Sequence, residues 1–367
     1  MESAGLEGLL IAGKGHMWTG RGYIRYFTDF HMWGHDALLL LPLDGDPVMT
    51  VTSHGVASMV ENLGWVKDTR GECNLCDYSP QIIEAINEKG LKNSKLGIAG
   101  MDWILPVGVY QRLQKSLPNI EFVNADELLD RVRMVKSPLE IQQIHELWDL
   151  SKKAMERFVE VLEPGKTGWE LATEACKVTR DGGAPEELVF LNESGVQGPP
   201  QDIPVKCDDV LQYHMEICGP SGHYSEITVM CAYREPNGLE SKLMDSELKA
   251  YAAIKEMAKP GVRISELANT FNTALLEDSW KFGQPKKHAD FHGQGMDVVE
   301  RPLWDESHPC DQEDWELPAG TVLCYHPART MIPAVPKTGI CDDIVITSNG
   351  AERLSGDWEL RWRRMDK

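Results

Sequence analysis

The sequence has no apolar run long enough to cross a bilayer, and "MESAGLEGLLIAGKG" has no basic stretch ahead of its short apolar segment. Neither a spanning helix nor an export signal is expected, and the chain reads as cytoplasmic. Basic charge is also scarce. Lys and Arg number 37 against 57 Asp and Glu, a formal net charge of −20. Nucleic acid and anionic membrane both require a basic face, so neither is expected as a partner. Cysteine occurs at nine scattered positions, and an odd, scattered set fits reduced thiols better than a disulfide framework. The lone C-x-x-C, Cys73 to Cys76, lacks a second pair or a neighbouring His and reads as ordinary packing.

What is present points to two domains, since 367 residues exceed one ordinary domain. "LEGLLIAG", "DALLLLPL" and "DPVMTVTS" are short apolar runs flanked by Gly, Asp and Pro, the pattern of buried strands. "SPQIIEAINEKGL" and "DWILPVGVYQRLQKSL" carry helical periodicity between the strand-like "KLGIAG" and "EFVNA". That alternation predicts a small α/β domain over residues 1–134. "SPLEIQQIHELWDLSKKAMERFVEVL" then opens a long helix with Ser-Pro, and a second domain is expected over residues 135–367.

The second region contains an internal repeat. "PGKTGWELA" from Pro164 recurs as "PGVRISELA" from Pro260, each between two helical segments and each followed by strand-like stretches. A pseudo-twofold α+β domain is expected, with a curved antiparallel sheet inside and helices outside. One of its stretches, "YHMEICGPSGHYSEITV" from Tyr213 to Val229, gathers titratable side chains around a Gly-Pro-Ser-Gly turn. A hairpin centred on Ser221 sets Glu216 directly opposite Glu226 on one face. Two carboxylates so placed repel, and either one takes up a proton or a cation sits between them. His214 alternates onto the same face, whereas His223 faces the other way or lies at the mouth. The alternative is a solvated polar hairpin.

Taken in order, "IRYFTDFHMWGHDALLLLPLDGDPVM", "RVRMVKSPLEIQQI", the two Pro-Gly repeats, "FHGQGMDVVERP", "LPAGTVLCYHP" and "DDIVITSNGAERLS" resemble the creatinase, prolidase and aminopeptidase P family. The resemblance implies the pita-bread fold for the second domain, a smaller α/β domain before it, and a homodimer. The family's peptidases hold two divalent metals with two Asp, one His and two Glu. At those positions this chain has Glu216, Glu226, His292 in "HGQG", His326 in "YHP", and Cys341 in "ICDD", or Asp342 after a one-residue slip. There is no His in "SGVQGPP", and none beside the Glu in "DVVERP".

With four of five ligands changed in type, the resemblance implies a non-peptidase branch near creatinase and ectoine hydrolase. The expected activity is hydrolysis of a C–N bond in a small, cationic amidine, guanidino or cyclic amide compound, without metal. Glu216 and Glu226 would hold the cationic nitrogen, as the creatinase Glu holds a guanidinium, and His292 and His326 would move protons. Trp33 and His35 in "FHMWGHD" resemble creatinase residues that reach a partner subunit's site; Trp33 offers a π-face to a cation. His214 and Cys341 are the remaining substrate contacts. Two alternatives stay open. One is a lyase or hydrolase with a single iron or zinc on Glu216, Glu226, His292 and His326; the other is a non-catalytic binding protein.

Overall fold

The structure is a computed structural model that describes residues 1–15, 18–71, 77–195, 197–279, 290–305, 313–326 and 339–365, without the side chains of 276–279, 290, 305 and 326. Cys73 and Cys76 therefore lie outside the described residues. The chain forms two compact units: Met1–Arg133 with Met296–Val298, and Met134–Gly295 with Val299–Lys367. No helix among the described residues is long and apolar enough to cross a membrane.

The first unit contains β1 (Gly8–Lys14), α1 (Arg21–Thr28), β2 (Asp36–Pro42), β3 (Val48–Val51), α2 (His54–Leu63), β4 (Asp68–Gly71), α3 (Ser79–Glu88), β5 (Lys95–Ala99), α4 (Val107–Ser116), β6 (Glu121–Asn124) and α5 (Asp126–Met134). Its strands form one mixed sheet in the order β4-β3-β2-β1-β5-β6. β1 pairs antiparallel with β2 and parallel with β5. Leu10, Ile11, Leu38, Leu39, Leu40 and Ile98 are fully buried. Their near-continuous apolar runs are what a sheet covered on both faces requires, and each such side chain contributes about 1.5–3 kcal/mol on burial.

The second unit opens with α6 (Pro138–Val161), followed by α7 (Gly168–Asp181), β7 (Glu186–Phe190), β8 (Val210–Cys218) and β9 (Tyr224–Ala232). Then come α8 (Gly238–Met257), α9 (Ile264–Ser279), β10 (Asp290–Gly293), β11 (Glu300–Asp305), β12 (Val322–His326), β13 (Asp342–Thr347), β14 (Gly350–Arg353) and β15 (Arg363–Arg364). The Ser137 side chain caps α6 in a reciprocal pair with Glu140, Thr167 and Glu170 do the same for α7, and Asn237 and Glu240 for α8. Both Pro-Gly copies join the two helices of an antiparallel pair, α6 to α7 and α8 to α9, as the repeat predicts.

The α+β, pseudo-twofold architecture matches the expectation, and among the described residues its antiparallel strands pair in two sheets. One runs β11-β10-β12-β13-β14, the other β15-β9-β8-β7 with β15 parallel to β9. Each helix pair covers one sheet. α6 and α7 pack on Tyr213, Met215, Ile217, Ile227 and Val229, whereas α8 and α9 pack on Phe291, Leu323, Tyr325, Ile344 and Ile346. Side chains alternate along a strand. Burying these positions under helices turns His214, Glu216, Glu226, His292 and Cys324 to the opposite, inner face.

Candidate metal centre

The β8–β9 hairpin has the register expected from the sequence: Glu216 pairs with Glu226 and His214 with Thr228. Gly222, at φ +90°, closes the connecting turn in a conformation that a side chain would strain. On the other sheet, β10 places His292 opposite Cys324 of β12, and Cys324 lies opposite Asp343 of β13. After His292 the ladder slips, and Gly293 lets the chain pass; a Cβ there would lie 2.6 Å from the Arg301 carbonyl oxygen.

These elements bring His214, Glu216, Glu226, His292, Cys324 and Cys341 together, all buried. His214 Nε2 lies 3.3 Å from Glu216 Oε1 and 4.0 Å from Glu226 Oε2, while its Nδ1 is 3.0 Å from the Thr228 hydroxyl. His292 Nε2 lies 3.3 Å from Glu226 Oε1. Its Nδ1 is 3.1 Å from the Gly293 carbonyl, which can only accept, so the proton of a neutral ring sits on Nδ1. A neutral His292 therefore turns its Nε2 lone pair toward a carboxylate oxygen. Only a proton or a cation between the two makes that favourable.

Glu216 Oε2 is buried and has no hydrogen-bond partner among the described residues. An orphaned carboxylate oxygen in a dry site costs stability unless something cationic meets it. Two donor groups meet at this point. Glu226, His292 and Cys324 place one donor atom each within 4.8 Å of one another, and so do His214, Glu216 and Glu226. Glu226 belongs to both. Three protein donors with room for a further ligand is the usual composition of a catalytic metal site.

Cys341 and the next residue, Asp342, have different surroundings. The Cys341 thiol donates toward Glu226 Oε2 at 3.8 Å and lies 3.6 Å from Cys324 Sγ. Asp342 points the opposite way, where Oδ2 accepts from the Tyr251 hydroxyl at 2.7 Å and from Arg353 Nε at 2.6 Å. Asp343, missed in the sequence, returns to the inner face, and its Oδ2 accepts from Trp148 Nε1 of α6 at 2.9 Å. Burial, then the Glu226 and Asp342 carboxylates, push its carboxyl well above the usual range. Burial likewise raises the Cys324 and Cys341 thiols.

His223 is not at a mouth: it is fully buried, with Nδ1 3.0 Å from the Ser221 hydroxyl and Nε2 3.6 Å from Glu140 Oε1. His326 ends β12 opposite Asp290, and its side chain lies outside the described residues. Trp33 and His35 belong to the first unit. The Trp33 indole is 45% exposed and tilts against Phe30 at 5.9 Å, and His35 Nδ1 is 3.1 Å from the Thr52 hydroxyl.

A pseudo-twofold layer of two helix pairs over antiparallel sheets, with carboxylates and imidazoles converging inside, is the architecture of one class of metal-dependent hydrolase. The chain belongs to Metallopeptidase family M24, which it matches over residues 142–348, and residues 1–135 match the Creatinase/Prolidase N-terminal domain. It is 27% identical to a Xaa-Pro dipeptidase of Pyrococcus horikoshii over 264 residues, 70% of this chain and 72% of that protein. It is 24% identical to the putative dipeptidase YkvY of Bacillus subtilis over 337 residues, 90% of each. Among solved structures, the prolidase from Pyrococcus horikoshii superposes with a TM-score of 0.78 at 21% identity, covering 98% of this chain and 97% of that one. The X-Pro aminopeptidase from Thermotoga maritima gives 0.76 at 19% identity, covering 98% of both.

These findings correct two expectations. Relatives that align over most of the chain carry peptidase names, which overturns the non-peptidase amidine or guanidino hydrolase. Membership of a metallopeptidase family, together with the two donor groups around Glu226, overturns the metal-free site. Carboxylate, imidazole and thiol can each ligate a divalent ion, so the change of residue types does not by itself exclude a metal.

Proposed function

We propose that this chain is a metal-dependent peptidase for short peptides, with Glu226 as the carboxylate common to two metal positions. The observation that carries the reading is the engagement of Glu226 from both sides: His292 Nε2 faces Oε1, and His214 and Cys341 face Oε2. One position is formed by His214, Glu216 and Glu226, the other by Glu226, His292 and Cys324. Bound metal would supply Lewis acidity to polarise a scissile carbonyl.

The protein's own residues do the rest. The Gly293 carbonyl fixes the His292 tautomer, so that Nε2 is the donor nitrogen. The Thr228 hydroxyl, 3.0 Å from His214 Nδ1, holds the orientation of that ring. Glu216 keeps one oxygen near His214, and its other oxygen, without a hydrogen-bond partner among the described residues, is left to meet the cation of the first position. Trp33 and His35 are proposed as substrate contacts that one subunit of a homodimer lends to the other.

The reading is tested by hydrolysis of a panel of Xaa-Pro and other dipeptides by protein stripped with a chelator and then reloaded with manganese, cobalt or zinc. Turnover that is lost on stripping, restored by metal and absent in Glu226→Gln supports it. No turnover by any reloaded form, or turnover indifferent to chelation, overturns it.

A further inference from the structure

The two positions around Glu226 differ in chemistry. His214, Glu216 and Glu226 offer only nitrogen and oxygen, whereas the group with His292 adds sulfur from Cys324. The Cys324 side chain is fully buried, and its strand position directly opposite His292 puts both on one face. The Cys341 thiol packs against it at 3.6 Å.

We propose that Cys324 is a direct metal ligand, making the Glu226–His292–Cys324 position a mixed thiolate, imidazole and carboxylate site for a thiophilic divalent ion of the zinc class. This rests on the metal-dependent reading above. An edge of a tetrahedral site is about 1.6 bond lengths, so nitrogen and oxygen donors at about 2.0–2.1 Å from zinc lie about 3.3–3.4 Å apart. His292 Nε2 and Glu226 Oε1 are already 3.3 Å apart. Cys324 offers its Sγ as the third donor of this group, in which one donor atom from each residue lies within 4.8 Å of the others. A soft sulfur donor favours zinc over manganese, so the two positions would sort ions by type. Coordination replaces the thiol proton, which leaves to solvent. Cys341, whose thiol donates to Glu226 and touches Cys324, acts as a positioning residue.

The test is spectroscopic and needs no turnover. Full-length protein is titrated with cobalt(II), and the near-ultraviolet sulfur-to-cobalt charge-transfer band is followed. The band is expected in the unmodified protein, absent in Cys324→Ser and Cys324→Ala, and retained in Cys341→Ser. Zinc affinity should fall roughly tenfold or more in Cys324→Ser, while manganese affinity stays within about twofold. X-ray absorption of zinc-loaded unmodified protein should find one sulfur at about 2.3 Å, and this holds whether or not the variants fold. Bound cobalt without the band, or a band that survives loss of Cys324, overturns the thiolate ligand and leaves the metal-dependent reading standing. Failure to bind any divalent ion overturns both.

Discussion

Glu216 and Glu226 face each other across the β8–β9 ladder, and the His214 imidazole reaches both, at 3.3 and 4.0 Å. Their surroundings make them unequal. Glu226 is approached at both oxygens, whereas Glu216 keeps one oxygen without a hydrogen-bond partner among the described residues. Glu226→Gln should therefore empty both metal positions, and Glu216→Gln only one. Elemental analysis after dialysis against a weak chelator checks this; equal metal loss in the two variants would count against a shared Glu226.

The proposed homodimer gives a second expectation. Trp33 is an exposed aromatic on the first unit, beside His35. Mixing inactive Glu226→Ala with inactive Trp33→Ala protein should restore part of the activity through hybrid dimers that contain one intact site. Lack of recovery, once subunit exchange is verified by mixed-mass analysis, would remove Trp33 from the site.

The third is a pH dependence away from the centre. Glu140 belongs to the α6 cap and lies 3.6 Å from His223. Burial by itself would raise its carboxyl, but the His223 contact and the Ser137 backbone bond outweigh it and bring the value down from 4.5 to about 2. A depressed carboxyl stabilises the fold fully above its unfolded value, and that stability is lost as pH falls from about 4.5 towards 2. Denaturant melts across that window should show stability rising with pH, with a shallower rise in Glu140→Gln. Identical slopes would show that the Glu140–His223 contact carries no linkage.

Local patterns were the legible part of this molecule. The hairpin register followed from symmetry about Ser221, because a two-residue alternation and a tight turn leave one pairing that keeps Tyr213, Met215 and Ile217 under the helices. The helix pairs followed from the repeated Pro-Gly turns and the capping residues. What stayed hidden depends on pairing between distant strands. Cys324 becomes a donor because β12 lies beside β10, some 30 positions earlier in sequence, which sets it opposite His292. Asp343 and Trp148 meet across 195 positions. The signal for Cys324 was available in the alternation of "VLCYH", which places it on the face of His326 and opposite Tyr325. Imidazole and thiolate ligate metals as carboxylates do, so the changed residue types at these positions leave both a metal-free site and a single iron or zinc open in the sequence.

The most direct measurement is anomalous X-ray scattering from crystals of the full chain grown with zinc and manganese, with data collected at each absorption edge. The account predicts two ions flanking the Glu226 carboxylate, with zinc beside His292 and Cys324 and the second ion beside His214 and Glu216. No anomalous peak within bonding distance of Glu226 at saturating metal would contradict it.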